Sequence, residues 1–243
     1  MDFRLKRYQK DFEHSYTFGV FATLELLDTR PEHLLKVVLA SKGERNAGVT
    51  RLTDACARRH IPVEVGDAAI ERLSPKESHL AVGVFRKYTA HLEPQRNHLV
   101  LVSPADMGNL GTIARTMLGF GITDLALIRP AVDIFDPKAI RASMGAVFCL
   151  SFEYFDHFDV YQAAFAHNLY PLMTNGRESI DGVAFKAPFA LVFGNESSGL
   201  PDEFRDRGLS VSIPHSPQID SLNLSVAVGI ALYQCTRNIG EQA

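Results

Sequence analysis

Apolar positions along the chain follow two rhythms. In the first 88 residues they step at helical spacing through TFGVFATLELLD (17–28) and AGVTRLTDACARRH (47–60). Between and after these lie short β-branched runs, LLKVVLA (34–40), IPVEVG (61–66) and HLAVGVFRKY (79–88), with DAAIERLS (67–74) before the last. The pattern predicts a small α/β module over residues 1–90. The polar, proline-bearing stretch TAHLEPQRNH (89–98) interrupts it and predicts a linker over 91–97.

From residue 98 to 243 the rhythm changes. Six compact apolar runs predict strands: HLVLVS at 98, DLALI at 124, AVFCLSF at 146, LYPLMT at 169, FALVF at 189 and LSVSI at 209. Helical patterns such as MGNLGTIARTMLGFG and DVYQAAFAHN fill most gaps, so βαβ connections and a parallel sheet are expected. Nearly all-apolar strands suit a sheet covered on both faces.

Composition narrows the class. With 46% hydrophobic residues in 243, the chain has material for one large core or two modest ones. No apolar run reaches membrane-span length and the first 16 residues lack a signal-like apolar core, so a cytoplasmic protein is expected. The cysteines Cys56, Cys149 and Cys235 stand singly, supporting neither a disulfide framework nor a metal site. Net charge is −3, but residues 1–96 carry 16 Lys and Arg against 13 Asp and Glu, the remainder 9 against 15. That asymmetry permits a nucleic-acid-facing N-terminal part.

Ligands of open parallel sheets bind beyond the carboxyl ends of strands, so the loops there carry the candidate chemistry. After the first strand, NLGTIAR opens a helix that Asn109 is placed to cap, with Arg115 one turn beyond Gly111 among Ile113, Met117 and Leu118. A guanidinium in apolar surroundings calls for an anionic partner. After FALVF comes GNESSGL, where Gly194 and Gly199 permit a turn bringing backbone close to a ligand and Glu196 is either solvated or a polar anchor. After LSVSI comes IPHSPQIDSLNLSVAVGIAL, in which Asp220 or Ser221 is expected to cap a deeply buried final helix. A glycine-rich strand-to-helix turn of dinucleotide type is missing after the first strand.

These three loops, in this order, closely resemble the motifs of the SpoU, or TrmH-like, branch of the SPOUT RNA methyltransferases, and the resemblance runs over about residues 98–239. The N-terminal part resembles the L30e-like substrate-binding domain that often precedes it. The resemblance implies a knotted SPOUT domain, an α/β trefoil knot with a parallel sheet. It implies S-adenosyl-L-methionine as cofactor, contacted at Thr174, Gly194, Ile213 and Leu222. It implies a catalytic set of Asn109, Arg115, Glu196, Ser221 and Asn223, and a homodimer whose site is completed across a two-fold interface. The activity implied is RNA ribose 2′-O-methylation, with ribosomal RNA favoured over transfer RNA and no metal or membrane partner. The family assigns the proton to the arginine matched by Arg115, but a guanidinium stays protonated, so stabilising a developing alkoxide or holding a phosphate fits it better. An inactive RNA-binding protein of the same fold is the alternative.

Overall fold

A computed structural model describes residues 5–43, 45–74 and 78–240. The elements in chain order are β1 (His14–Phe18), α1 (Val20–Thr29), β2 (Leu34–Leu39), α2 (Ala47–Arg58), β3 (Val63–Val65), α3 (Asp67–Leu73) and β4 (Ala81–Arg86). They continue with β5 (His98–Val102), α4 (Met107–Gly119), β6 (Asp124–Ile128), α5 (Pro137–Ala142), β7 (Ser151–Phe155), α6 (Phe158–Ala164) and β8 (Asn168–Pro171). Last come β9 (Glu178–Ser179), β10 (Phe189–Phe193), β11 (Val211–Ser212) and α7 (Leu224–Gly240).

The chain divides into two compact units, Met1–Tyr88 with Asp133–Cys149, and Thr89–Val132 with Leu150–Ala243. The sequence boundaries place 133–149 with the C-terminal stretch, whereas in the structure it packs with the N-terminal one. The reason is apolar burial: Ile134, Phe135, Ile140, Val147 and Phe148 are all buried, and Phe85 of β4 meets Phe135 and Phe148 edge-on at 5.5 and 5.3 Å between ring centroids. Lys87, at the end of β4, closes the seam with a 2.8 Å ion pair to Asp133 in which both side chains are largely buried.

The first unit is a four-stranded sheet in the order β1-β4-β2-β3, with β4 antiparallel to β1 and β2, and β3 parallel to β2. The sequence pattern missed β1, assigning Thr17 and Phe18 to a helix; Gly19, at φ 96, ends the strand there and α1 starts only at Val20. Gly83 lets β4 pass over a buried hydroxyl pair. Its amide donates to Thr17 Oγ1 at 3.0 Å, Thr17 Oγ1 lies 2.7 Å from Thr23 Oγ1, and a Cβ at 83 would come within 2.4 Å of the Thr17 hydroxyl.

The second unit is a parallel five-stranded sheet in the order β7-β6-β5-β10-β8. The nearly all-apolar runs of β5, β6 and β10 are its central strands, while β7 and β8 form the edges, where Pro171 is tolerated because no further ladder needs its missing N–H. Two strand expectations are corrected. Residues 146–149 of AVFCLSF form a 3₁₀ turn and β7 begins at Ser151. LSVSI does not join the main sheet: Val211–Ser212 pairs with Glu178–Ser179 in a separate two-stranded ribbon. The chain at Gly208 crosses the end of β8 so closely that a Cβ would sit 2.3 Å from the Leu169 carbonyl oxygen, and Leu209 donates to that oxygen at 3.0 Å.

In the same register row of this sheet as Leu169, His98 is fully buried. Its Nε2 lies 3.0 Å from the Glu93 carbonyl, which only accepts, so Nε2 carries the proton and Nδ1 accepts from Tyr161 Oη at 2.9 Å. Burial, with the neighbouring His167, lowers its pKa from 6.5 to about 4. The unfolded chain therefore binds more protons than the folded one between those values, and stability present above pH 6.5 is lost as pH falls through 4. The full effect is up to about 3 kcal/mol. Urea unfolding between pH 7.5 and 4 should show a stability slope that His98→Asn reduces by close to one proton; equal slopes in the two proteins would remove His98 as its source.

Candidate active site

The loops beyond the carboxyl ends of β8 and β10 and the segment after β11 meet within the second unit. They enclose a cleft of about 430 Å³, and the loop after β5 is tied to the loop after β10 beside it. Thr174, Gly194, Ile213 and Leu222 all line it, as do Glu196 and Ser221. Asn109, Arg115 and Asn223 do not.

The loop after β10 is a tight reversal. Asn195 and Gly199 exchange backbone hydrogen bonds, the Gly199 amide donating at 2.9 Å, and Gly199 takes φ 67. Inside the reversal the Asn195 Oδ1 accepts from Ser197 N and Oγ at 2.9 and 2.7 Å, while its amide group donates to the Ser103 carbonyl at 2.7 Å. Asn195 thus ties the loop after β10 to the loop after β5, a role sequence reading missed although the residue sits in the GNESSGL motif. Gly194 has a different reason for being glycine from the one expected. A Cβ there would meet the backbone of Gly199 and Leu200 at 2.0–2.3 Å, so the missing side chain makes room for the loop itself, and a Val there would disrupt the loop.

Glu196 proves to be an anchor. Its two carboxylate oxygens accept from consecutive amides, Ala105 at 3.0 Å and Asp106 at 3.1 Å, at the entrance of α4. Negative charge is stabilising at a helix N-terminus. The helix is capped by Asp106, whose Oδ1 accepts from the Asn109 amide at 2.7 Å; Asn109, expected to be the cap, is already inside the first turn. Its side chain is free for other use: the Nδ2 points at Glu196 at 3.5 Å and the Oδ1 accepts from Asn223 Nδ2 at 3.3 Å.

Asn223, and neither Asp220 nor Ser221, caps α7. Its Oδ1 accepts from the Ser225 amide at 2.9 Å and the Ser225 hydroxyl at 2.7 Å. Glu196, Asn109 and Asn223 therefore form one hydrogen-bonded line through all three motif loops. Ser221 is exposed at the rim with no partner among the described residues. Arg115 is exposed on α4, about 9 Å along the helix axis from Asn109. The expectation of a guanidinium in apolar surroundings is thus corrected: Ile113 and Met117 turn inward while Arg115 faces out, without an ion-pair partner among the described residues.

A further correction concerns α7. The final helix buries Leu224, Val228, Ala231, Leu232 and Cys235, but Val226, Ile230 and Tyr233 form an exposed apolar stripe, so it is not deeply buried all round. Two residues after Thr174, Gly176 lets two backbones touch: a Cβ would lie 2.4 Å from the Val211 carbonyl carbon, and Met173 donates to the Val211 carbonyl at 2.9 Å. Among the described residues no group of His, Cys, Asp and Glu is arranged to hold a metal.

The match to a family model decides what this constellation belongs to. Residues 96–233, more than half of the chain, match the model of the SpoU rRNA methylase family. The chain belongs to the SpoU rRNA methylase family. Among its relatives, a 23S rRNA (adenosine(1067)-2′-O)-methyltransferase of Streptomyces azureus is 31% identical over 199 residues, covering 76% of this chain and 73% of that one. An uncharacterized tRNA/rRNA methyltransferase of Synechocystis sp. is 32% identical over 143 residues, 57% of this chain, which spans 52% of the length of that relative. In structure, the chain resembles an S-adenosylmethionine-bound rRNA methyltransferase of Sinorhizobium meliloti with a TM-score of 0.77 at 26% identity, over 93% of this chain and 88% of that one. SpoU membership fits the α/β architecture and the parallel sheet described above.

If Glu196 fixes the loop after β5, its removal frees two amides. Glu196→Ala should speed hydrogen exchange at Ala105 and Asp106 by about 10- to 100-fold, the cost of losing bonds to a charged acceptor, while amides of β5 stay protected. Unchanged exchange at both positions would show that the loop holds without the carboxylate.

Proposed function

We propose that the protein transfers a methyl group from S-adenosyl-L-methionine to a ribose 2′-hydroxyl of RNA, with ribosomal RNA favoured over transfer RNA. The observation that carries the reading is the hydrogen-bonded line from Glu196 through Asn109 to Asn223, which ties three motif loops together at the edge of one cleft. The names of the relatives support the reaction class.

The cleft fits the cofactor. Its volume is in the range of small-molecule sites, and its lining mixes apolar Leu172, Phe193, Ile213 and Leu222 with the carboxylates Asp202 and Asp220, a suitable field for a cation. Thr174, Gly194, Ile213 and Leu222 would hold it. The cofactor supplies an electrophilic methyl group on a sulfonium. The chain's own task is to align the acceptor oxygen and assist loss of its proton, and positioning of this kind is worth on the order of 7–11 kcal/mol in favourable cases. Asn109, Ser221 and Asn223 frame the acceptor ribose from the rim. Glu196 acts through the loop it anchors. Arg115 remains cationic and stabilises the developing alkoxide or grips an adjacent phosphate.

The same reading includes a homodimer. Val226, Ile230 and Tyr233 on α7, with exposed Leu118 on α4, offer an apolar face that a second copy would cover, and Arg115 lies one turn from Leu118. It also includes a trefoil-knotted path through the C-terminal part, an L30e-like first unit that supplies RNA affinity, and a cytoplasmic location. No helix among the described residues is long and apolar enough to cross a membrane.

The test is methyl transfer from labelled S-adenosylmethionine to RNA of methylation-deficient cells, followed by alkaline hydrolysis. Label should appear in alkali-resistant dinucleotides; label only in mononucleotides would mean base methylation and sink the assignment. Arg115→Ala should lower the rate by about 10²- to 10³-fold with cofactor binding retained. Near-wild-type activity in that variant would strip Arg115 of its role. Sedimentation at micromolar concentration should give a dimer that Ile230→Glu dissociates, and a monomeric wild-type protein that still binds cofactor would exclude the shared site.

A further inference from the structure

An RNA substrate must be gripped away from the reacting ribose, and the first unit carries a surface that its own fold leaves unused. Phe21, on the first turn of α1, is 57% exposed. Two other chain segments close on the start of that helix. On one side is the entrance of α2: a Cβ on Gly48 would lie 3.2 Å from Val20 Cγ1 and 3.1 Å from the capping oxygen of Asn46. On the other side Gly145 presses against α1, where a Cβ would lie 2.8 Å from Glu25 Cβ and 3.3 Å from Ala22 Cα. Met144, immediately before it, is 42% exposed and held at φ 54, a left-handed conformation uncommon for a residue with a side chain.

Cations stand on the elements that flank these two residues. Arg45 and Arg51 are exposed at the α2 entrance, and Lys138 and Arg141 are exposed on α5. The nearby carboxylates have partners within the unit, and for Asp28 one of these is Arg51 itself. Asp28 stands 3.8 and 3.7 Å from Arg51 and Arg59, Glu25 accepts from the Cys149 thiol at 3.2 Å, and Asp136 caps α5 through the Lys138 amide at 2.8 Å. An exposed aromatic ring and a polarisable thioether among arginines match what unpaired bases seek, a π-face to stack on and positive charge for the flanking phosphates. Bases stacked inside a duplex offer no such face.

We propose that Phe21 and Met144, with Arg45, Arg51, Lys138 and Arg141 on the flanking elements, form a stacking platform for an unpaired base of single-stranded RNA. The proposal rests on the reading of the protein as an RNA-modifying enzyme and adds where the first unit grips its substrate.

The probe is a fluorescein-labelled single-stranded oligouridine of about 12 nucleotides, within the range one such module covers. Anisotropy at one fixed salt concentration should show a Kd raised about tenfold by Phe21→Ala, in line with the loss of one base stack, and little changed by Phe21→Tyr, which keeps the ring. Replacing Arg45 and Arg51 by Gln should flatten the dependence of log K on log salt by about 0.7 for each charge. S-adenosylhomocysteine affinity, measured by calorimetry on the same preparations, should be equal in all variants, and an unchanged circular dichroism spectrum and thermal midpoint show that the first unit is folded. Wild-type affinity in Phe21→Ala overturns the proposal, as does a wild-type protein that ignores the probe or prefers blunt duplex RNA. So does a Phe21→Ala variant that loses its partner copy in sedimentation while keeping its RNA affinity, since the patch is then a protein interface. Failure of the enzyme reading is visible separately, as a wild-type protein that binds no S-adenosylhomocysteine.

Discussion

Two oxygens of one carboxylate, those of Glu196, accept from the successive amides of Ala105 and Asp106, and the candidate site depends on that grip. The bonds fix where α4 begins. Asp106 can then cap the helix, and the Asn109 side chain is released from capping to meet Asn223. Asn223 in turn sets the start of α7 through its bonds to Ser225. One anion thereby orders two helix entrances. The polar side chains at the rim are spent on each other's placement, which leaves Ser221 and Arg115 as the groups facing outward.

The cleft beneath them exists because backbones approach more closely than side chains allow. Gly176 lies against Val211, Gly208 against Leu169 and Gly194 against Gly199, each with no room for a Cβ. These contacts bring the segment after β8 against β11, the approach to β11 against β8, and the two arms of the loop after β10 against each other.

The two units distribute charge and chemistry differently. The cleft side carries carboxylates, including Asp202 and Asp220, while the exposed cations on the elements flanking Phe21 belong to the first unit. The first unit is completed by a stretch borrowed from between β6 and β7, so its surface cannot be assigned from the N-terminal sequence alone. Met144, Lys138 and Arg141 reach it only through the burial of Phe135, Ile140 and Phe148.

The sequence by itself determined the central strands β5, β6 and β10, because a strand buried on both faces is apolar along nearly all of its length, and it determined which loops carry the polar constellation. The resemblance named Thr174, Gly194, Ile213 and Leu222 together, and in the structure all four line one cleft. The tertiary structure alone decided which Asx residue caps each helix, since Asp106 and Asn109, or Asp220, Ser221 and Asn223, are equally able to cap until the chain direction entering the helix is fixed. It alone decided that Arg115 faces outward, because one apolar helix face gives no sign of how far its rim extends. It also decided that residues 133–149 complete the first unit: their hydrophobicity demands burial, but hydrophobic attraction has no direction, and only the assembled β4 and α1 supply the surface that receives them.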